Sequence, residues 1–168
     1  FHESVFKIST DFENTTFNAL ADFYAVTFES PQRFFLTDFL DVTIFSNATF
    51  ENQVQFTYNK VKTDSIISFE SACFKQSIDI SRSNFWCKLQ FWGSTFDRTI
   101  PSKAWLYEFE VVTVKNTPKL DHCLIRIRES YRMIKYSFRQ EGNYIESFKF
   151  HQMELAIFKS EKSVIKLE

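Results

Sequence analysis

Three groupings in this 168-residue sequence have side-chain types that do chemistry. His122 and Cys123 stand side by side, the ingredients of a thiol–imidazole pair. Adjacent residues on a helix diverge by about 100°, however, and no third group is placed to orient them, so the reading is a packed helix start. His151 and Glu154 lie at i, i+3, a spacing that metal sites on helices use. No second such pair accompanies them, and the expectation is a hairpin-core histidine beside a solvated glutamate. The third grouping is basic: Arg126, Arg128, Arg132, Lys135 and Arg139. Such a run can meet lipid headgroups or nucleic acid. These residues scatter around a helix and Glu129 and Glu141 interrupt them, so a solvated face is favoured over a membrane-proximal one. Gly-rich phosphate loops, paired catalytic carboxylates and nucleophile motifs are absent from the sequence. No catalytic, cofactor-binding or metal-ligating residue is expected, and the chain reads as a non-enzyme.

The elements that carry these residues are helical. Ile127, Tyr131, Ile134 and Phe138 fall on one helix face. Gly142 is a stop signal, and Asn143 with Glu146 three residues on forms a capping-box pattern for a second helix. There Tyr144, Phe148, His151, Leu155 and Phe158 repeat the stripe, which predicts an αα-hairpin with that stripe in its core. Before it, Trp105-Leu106-Tyr107-Glu108-Phe109-Glu110-Val111-Val112-Thr113-Val114 has strand character and is expected to continue or cap whatever precedes it. Pro118 then breaks the chain.

What precedes it is periodic. The series Phe1, Phe6, Phe12, Phe17, Phe23, Phe28, Phe34, Phe39, Phe45, Phe50, Phe56 alternates steps of 5 and 6, and Val61 continues it. Around Lys62-Thr63-Asp64-Ser65 two extra residues intrude, after which Phe69, Phe74, Ile80, Phe85, Phe91 and Phe96 resume the rhythm. Sixteen of the 22 phenylalanines stand on this ladder. Two residues before each phenylalanine that follows a five-step the side chain is usually small, as at Ser4, Thr15, Val26, Thr37, Ala48, Ala72, Ser83 and Ser94, Asn59 being the largest. Before the six-step phenylalanine the position is permissive, from Ala21 to Gln32 to Leu89. Steps of five and six fit neither a 3.6-residue helix nor an alternating strand. They fit a four-sided coil of 22 residues per turn. Four columns follow: Phe1-Phe23-Phe45-Phe69-Phe91, Phe6-Phe28-Phe50-Phe74-Phe96, Phe12-Phe34-Phe56-Ile80 and Phe17-Phe39-Val61-Phe85. Successive coils are expected about 4.8 Å apart, the ordinary strand spacing.

The runs Thr10-Asp11-Phe12-Glu13-Asn14-Thr15-Thr16-Phe17 and Ala21-Asp22-Phe23-Tyr24-Ala25-Val26-Thr27-Phe28 resemble bacterial pentapeptide-repeat proteins, in particular those with alternating five- and six-residue steps. The resemblance covers residues 1 to about 100 and implies a mainly β fold, a right-handed quadrilateral β-helix. Gln32-Arg33-Phe34-Phe35, which lacks the small residue, and the insertion near Asp64 depart from the pattern. The stretch Arg128-Glu129-Ser130-Tyr131-Arg132 through Glu141-Gly142-Asn143 to Phe150-His151-Gln152-Met153-Glu154 is similar to the helical element after the coil in membrane-attached relatives, where transmembrane helices follow. The expected organisation is a Phe-laddered β-helix with capping strands over 1–118, a helical hairpin over 119–166, and a tag scar at 167–168.

Bulk properties narrow the function. A net charge of −1 argues against bulk affinity for nucleic acid or anionic membrane. Cys73, Cys87 and Cys123 are an odd number in no ligand spacing, which suits reduced thiols and a cytoplasmic setting. No apolar run is long enough to span a bilayer. The expectation is therefore a non-catalytic scaffold for an unidentified protein partner, attached to a membrane in the full-length protein. Phe1 stands in phase with Phe23, so a first coil left uncovered would invite homodimer or end-to-end association. The alternative is a duplex-DNA mimic that engages DNA gyrase, as some pentapeptide-repeat proteins do. That role needs a strongly acidic coil, whereas residues 1–100 carry 8 basic and 12 acidic side chains, a net −4.

Overall fold

The computed structural model describes residues 1–76, 78–85, 87–97 and 120–165. The expected strand over 105–114 and the side chains of His122 and Cys123 lie outside the described residues.

The chain winds a parallel β-solenoid of about 4 turns followed by two helices. Its first side stacks β1 (Val5–Phe6), β4 (Thr27–Phe28), β8 (Thr49–Phe50), β11 (Cys73–Phe74) and β14 (Thr95–Phe96). A second stacks β3 (Ala21–Asp22), β7 (Thr43–Ile44), β10 (Ile66–Ser68) and β13 (Lys88–Gln90), and a third stacks β5 (Gln32–Phe35), β9 (Val54–Lys60) and β12 (Ile78–Asn84). The fourth pairs β2 (Thr16–Phe17) with β6 (Asp38–Phe39), and Val61 bridges onto Phe39. All pairings are parallel, with Phe6 against Phe28 and Phe17 against Phe39.

The phenylalanines occupy the columns that their spacing dictates. Phe23 stacks on Phe45 at 4.8 Å between ring centroids, Phe28 on Phe50 at 5.1 Å, Phe34 on Phe56 at 4.7 Å and Phe17 on Phe39 at 5.6 Å. Rings of neighbouring columns meet edge-on, as Phe34 and Phe45 do. Offset stacking along a column with edge contacts across it suits the ring quadrupole and leaves the tube solid.

The four corners are of two kinds. After Phe1, Phe12, Phe23, Phe45, Phe69 and Phe91 the third residue on donates its amide back to the phenylalanine carbonyl. The residue just before that donor has positive φ: Glu3, Asn14, Ala25, Asn47, Ser71 and Gly93. This is the type II turn, which requires positive φ at its third position. Its fourth residue is the small one of the sequence pattern, buried at Val26, Ala48 and Ala72 because the tight corner leaves no room for more. Where that residue is polar it bonds one coil back: Thr37 Oγ1 donates to the Phe12 carbonyl at 2.8 Å, Asn59 Nδ2 to Phe34 at 3.0 Å and Ser83 Oγ to Phe56 at 2.6 Å. The other two corners are wider and bury Ile67, Val54 and Ile78 instead.

The width of those corners explains both departures from the pattern. Gln32 is buried, and its amide donates to the Ile8 and Ser30 carbonyls while its oxygen accepts from the Thr10 amide. The insertion folds into a turn closed by Ser65 N–H to Lys62 C=O at 3.0 Å. Pairs that span the insertion carry the two extra residues, as Phe50 opposite Phe74 does, and the 22-residue interval then returns, with Phe74 opposite Phe96.

Helix α1 (Leu120–Gln140) lies against β12 and β13, and α2 (Tyr144–Ile165) packs along α1. Ile127, Tyr131, Ile134 and Phe138 of α1 are buried, as their stripe predicts. Phe138 meets Phe91 of the last coil at 6.2 Å, and Phe150 of α2 stands edge-on to Phe96 at 5.0 Å. The hairpin thus covers the open end of the Phe columns. Between the helices Gly142 takes φ 75, with Asn143 N–H bonded to Phe138 C=O and Gly142 N–H to Arg139 C=O, the Schellman arrangement. Asn143 Oδ1 caps α2 by accepting from the Glu146 amide at 3.2 Å. The reciprocal half of the expected capping box is missing, because Asn143 N–H serves the Schellman bond and Glu146 pairs with Lys149.

Candidate functional site

Three residues of the basic run are used internally. Arg126 pairs with Asp79 on β12, a carboxylate that also accepts from Gln55 Nε2 at 3.0 Å and Ser81 Oγ at 2.7 Å. Arg128 pairs with Glu161 at 2.8 Å, and Lys135 with Glu154 at 2.6 Å. Arg132 pairs with Glu129 one turn earlier, while Arg139 is exposed at the end of α1. The expectation of a solvated face is corrected for Arg126, Arg128 and Lys135, whereas Arg132 and Arg139 are exposed. The scatter of these cations around α1 lets three of them point inward, where acids of β12 and α2 meet them. Ser130 Oγ accepts from the Ile80 amide at 3.1 Å, and Ser137 Oγ donates to Leu89 C=O at 2.6 Å, so small polar residues of α1 complete the strand edge of the last coil.

Electrostatics follows burial. Burial pushes the Glu154 carboxyl up, but hydrogen bonds from Lys135 and His151 outweigh it and hold the group below the ordinary range. At Glu161 burial wins over the attraction of Arg128, and the carboxyl lies above its ordinary range. Glu141, at the end of α1, is likewise raised by burial, against the pull of Lys88. An open cleft of about 750 Å³ between α1 and the last coil is lined by Phe85, Cys87, Leu89, Met133, Tyr136 and Arg132 among others. Its thiol is a poor nucleophile, since burial pushes Cys87 up to about 11. Among the described residues no cluster of three or more His, Cys, Asp or Glu is placed to hold a metal ion.

His151 is not a core residue. Its side chain is half exposed and lies 3.4 Å from Glu154, which is the less exposed of the two. The error extends to the whole expected stripe. Tyr144, Phe148, Leu155 and Phe158 face solvent, with Tyr144 at 68% and Phe148 at 60% exposure, and Ile145 joins them. The face of α2 that meets α1 and the coil is Ser147, Phe150, Ile157 and Glu161, about a third of a turn away. Periodicity points to the more aromatic of two apolar stripes, and that stripe is the outward one. The second stripe, interrupted by Ser147, Glu154 and Glu161, was the signal that could have separated them.

Exposed apolar residues on the coil, such as Ile8, Leu20 and Trp92, are scattered singly. Those on α2 form one band, and that band is the most distinctive surface of the molecule. The coil exterior mixes signs: Lys60, Lys62, Lys75, Arg82 and Lys88 are all exposed among its acids, and Lys75 pairs with Glu51 at 3.0 Å. No helix among the described residues is long and apolar enough to cross a membrane. Comparison with family models, with curated proteins and with solved structures returned no match.

Proposed function

We propose that the protein is a non-catalytic scaffold of the pentapeptide-repeat type, a cytoplasmic module that presents surfaces to a protein partner and is tethered to a membrane in its full-length form. The observation that carries this reading is the division of labour in the coil. Every inward column is committed to filling the tube, and the outward residues ride on a rigid ladder of parallel strands. Such a surface binds without chemistry, because no inward group is left to line a reaction chamber. The five/six spacing of the ladder supports assignment to the pentapeptide-repeat class. The tether rests on the resemblance of the hairpin sequence to its membrane-attached relatives. The mixed charge of the coil disfavours a gyrase-binding DNA mimic, which must imitate a continuous line of phosphates. Fractionation of cells expressing the natural gene product tests the tether: release from the membrane fraction by detergent but not by high salt is expected, and recovery in the soluble fraction overturns it. Addition of the purified protein to a gyrase supercoiling assay is expected to leave the reaction unchanged.

A further inference from the structure

Helix α2 is apolar on two sides. One side, Phe150, Met153 and Ile157, is turned to α1 and the coil. The other carries Tyr144, Phe148, His151, Leu155, Phe158 and Lys162, all exposed and separated by steps of 4, 3, 4, 3 and 4. That alternation has the a/d spacing of a coiled coil over a little under three heptads, with His151 and Lys162 as its polar positions. One apolar face of α2 is thus left exposed after the other has packed against α1 and the coil.

We propose that a second copy of this chain covers this face, α2 lying against α2 in an antiparallel pair whose two-fold axis passes at the level of Met153. The seam is self-complementary in that orientation. Phe148 comes opposite Phe158 of the second copy, His151 opposite Leu155, and Tyr144 opposite Lys162. The charges select this orientation over the parallel one, which would stack Lys162 on Lys162 and His151 on His151. Antiparallel, each Lys162 lays its stem on a tyrosine ring, and it already sits 4.6 Å from the centre of the Phe158 ring. Beside the seam Gln152 meets Gln152 near the axis, and Lys159 faces Ile145. Glu154 and Glu161, on the opposite flank, are engaged by Lys135 and Arg128 of their own chain. The 22-residue helix is about 33 Å long, room for six such layers. An isologous two-fold contact of this kind closes on itself and stops at the dimer. Lys149 and Lys159 flank the band, as they would on a helix lying in a bilayer surface, but such a helix has no need of His151 in the middle of its buried face.

Sedimentation equilibrium across the micromolar range tests the proposal. The wild-type chain is expected to run as a dimer, and Phe148→Glu/Phe158→Glu is expected to halve the weight-average mass while leaving the thermal unfolding of the coil unchanged. Orientation is read from disulfide cross-linking in a chain whose Cys73, Cys87 and Cys123 are replaced by Ala. Mixing Tyr144→Cys protein with Lys162→Cys protein is expected to give a mixed disulfide, with neither variant cross-linking to itself. A monomeric wild type overturns the proposal, as does a dimer that survives the double glutamate variant, which would place the contact elsewhere, for instance at the exposed Phe1 end of the coil. Self-cross-linking of Tyr144→Cys overturns the antiparallel pairing. A monomer that co-sediments with phosphatidylcholine/phosphatidylserine vesicles through Phe148 would assign the face to a membrane instead.

Discussion

The coil and the hairpin bury aromatic residues in the same molecule by opposite rules. In the coil a residue's neighbours are found by adding one turn to its number, so Phe23 meets Phe45 and Phe45 meets Phe69. A two-residue insertion shifts the count and leaves the columns in place, Phe45 stacking on Phe69 and Phe50 on Phe74 across it. In the hairpin the neighbours come from distant sequence: Ser130 bonds Ile80, Arg126 pairs with Asp79, and Phe150 meets Phe96. A solenoid is a one-dimensional assembly in which each unit contacts only the next. A helix, by contrast, offers several faces, and docking decides which is used.

The largest expected effect tests the coil rule. Phe45→Ala, in mid-column, is expected to cost about 3–5 kcal/mol, as buried aromatic truncations do. Phe35→Ala removes a partly exposed ring that touches Arg33 and Tyr58 outside the tube, and it is expected to cost far less. Equal denaturation midpoints for the two would break the column register.

The same contrast applies to α2. Phe150→Ala is expected to cost about 3 kcal/mol by opening the contact among Phe96, Phe138 and Tyr131. Phe148→Ala, two residues away and exposed, is expected to change the midpoint of the dilute protein by less than about 0.5 kcal/mol. The reverse order would restore the aromatic stripe to the core.

Asp79→Ala tests what joins the regions. It removes the carboxylate that pairs with Arg126, only 14% exposed, and an acceptor from Gln55 and Ser81, at an expected cost of about 3 kcal/mol. Hydrogen exchange should show protection lost first in α1, with the early coils unaffected.

The smallest effect is a pH dependence. Because burial raises the Glu141 carboxyl, the folded state holds its proton more tightly than the unfolded chain does. Its stabilising contribution is complete below the unfolded carboxyl value of about 4.3 and is lost as pH rises through the folded value. Glu141→Gln, which mimics the protonated form, is expected to raise the unfolding midpoint at neutral pH, and the difference should vanish in acid. A midpoint lowered at neutral pH would show that Lys88 outweighs burial there.

By itself the sequence determined the coil almost completely. Columns, coil length, the corners that demand a small residue and the place of the insertion follow from the spacing of Phe and of Ser, Thr and Ala, because each inward position recurs at a fixed interval and only one winding satisfies them all. The buried stripe of α1 and the Gly142–Asn143 junction were legible for the same reason, both being local. Three features were decided by tertiary structure alone. The Asp79–Arg126 pair joins residues 47 apart, and no local pattern marks either of them. The inward use of the basic residues required acids on β12 and α2 to come within reach. The orientation of α2 was a choice between two apolar stripes roughly a third of a turn apart, and periodicity carries no information about which one meets a neighbour. Packing against Phe96 and Phe138 selected Phe150, and so left Tyr144, Phe148, Leu155 and Phe158 facing outward.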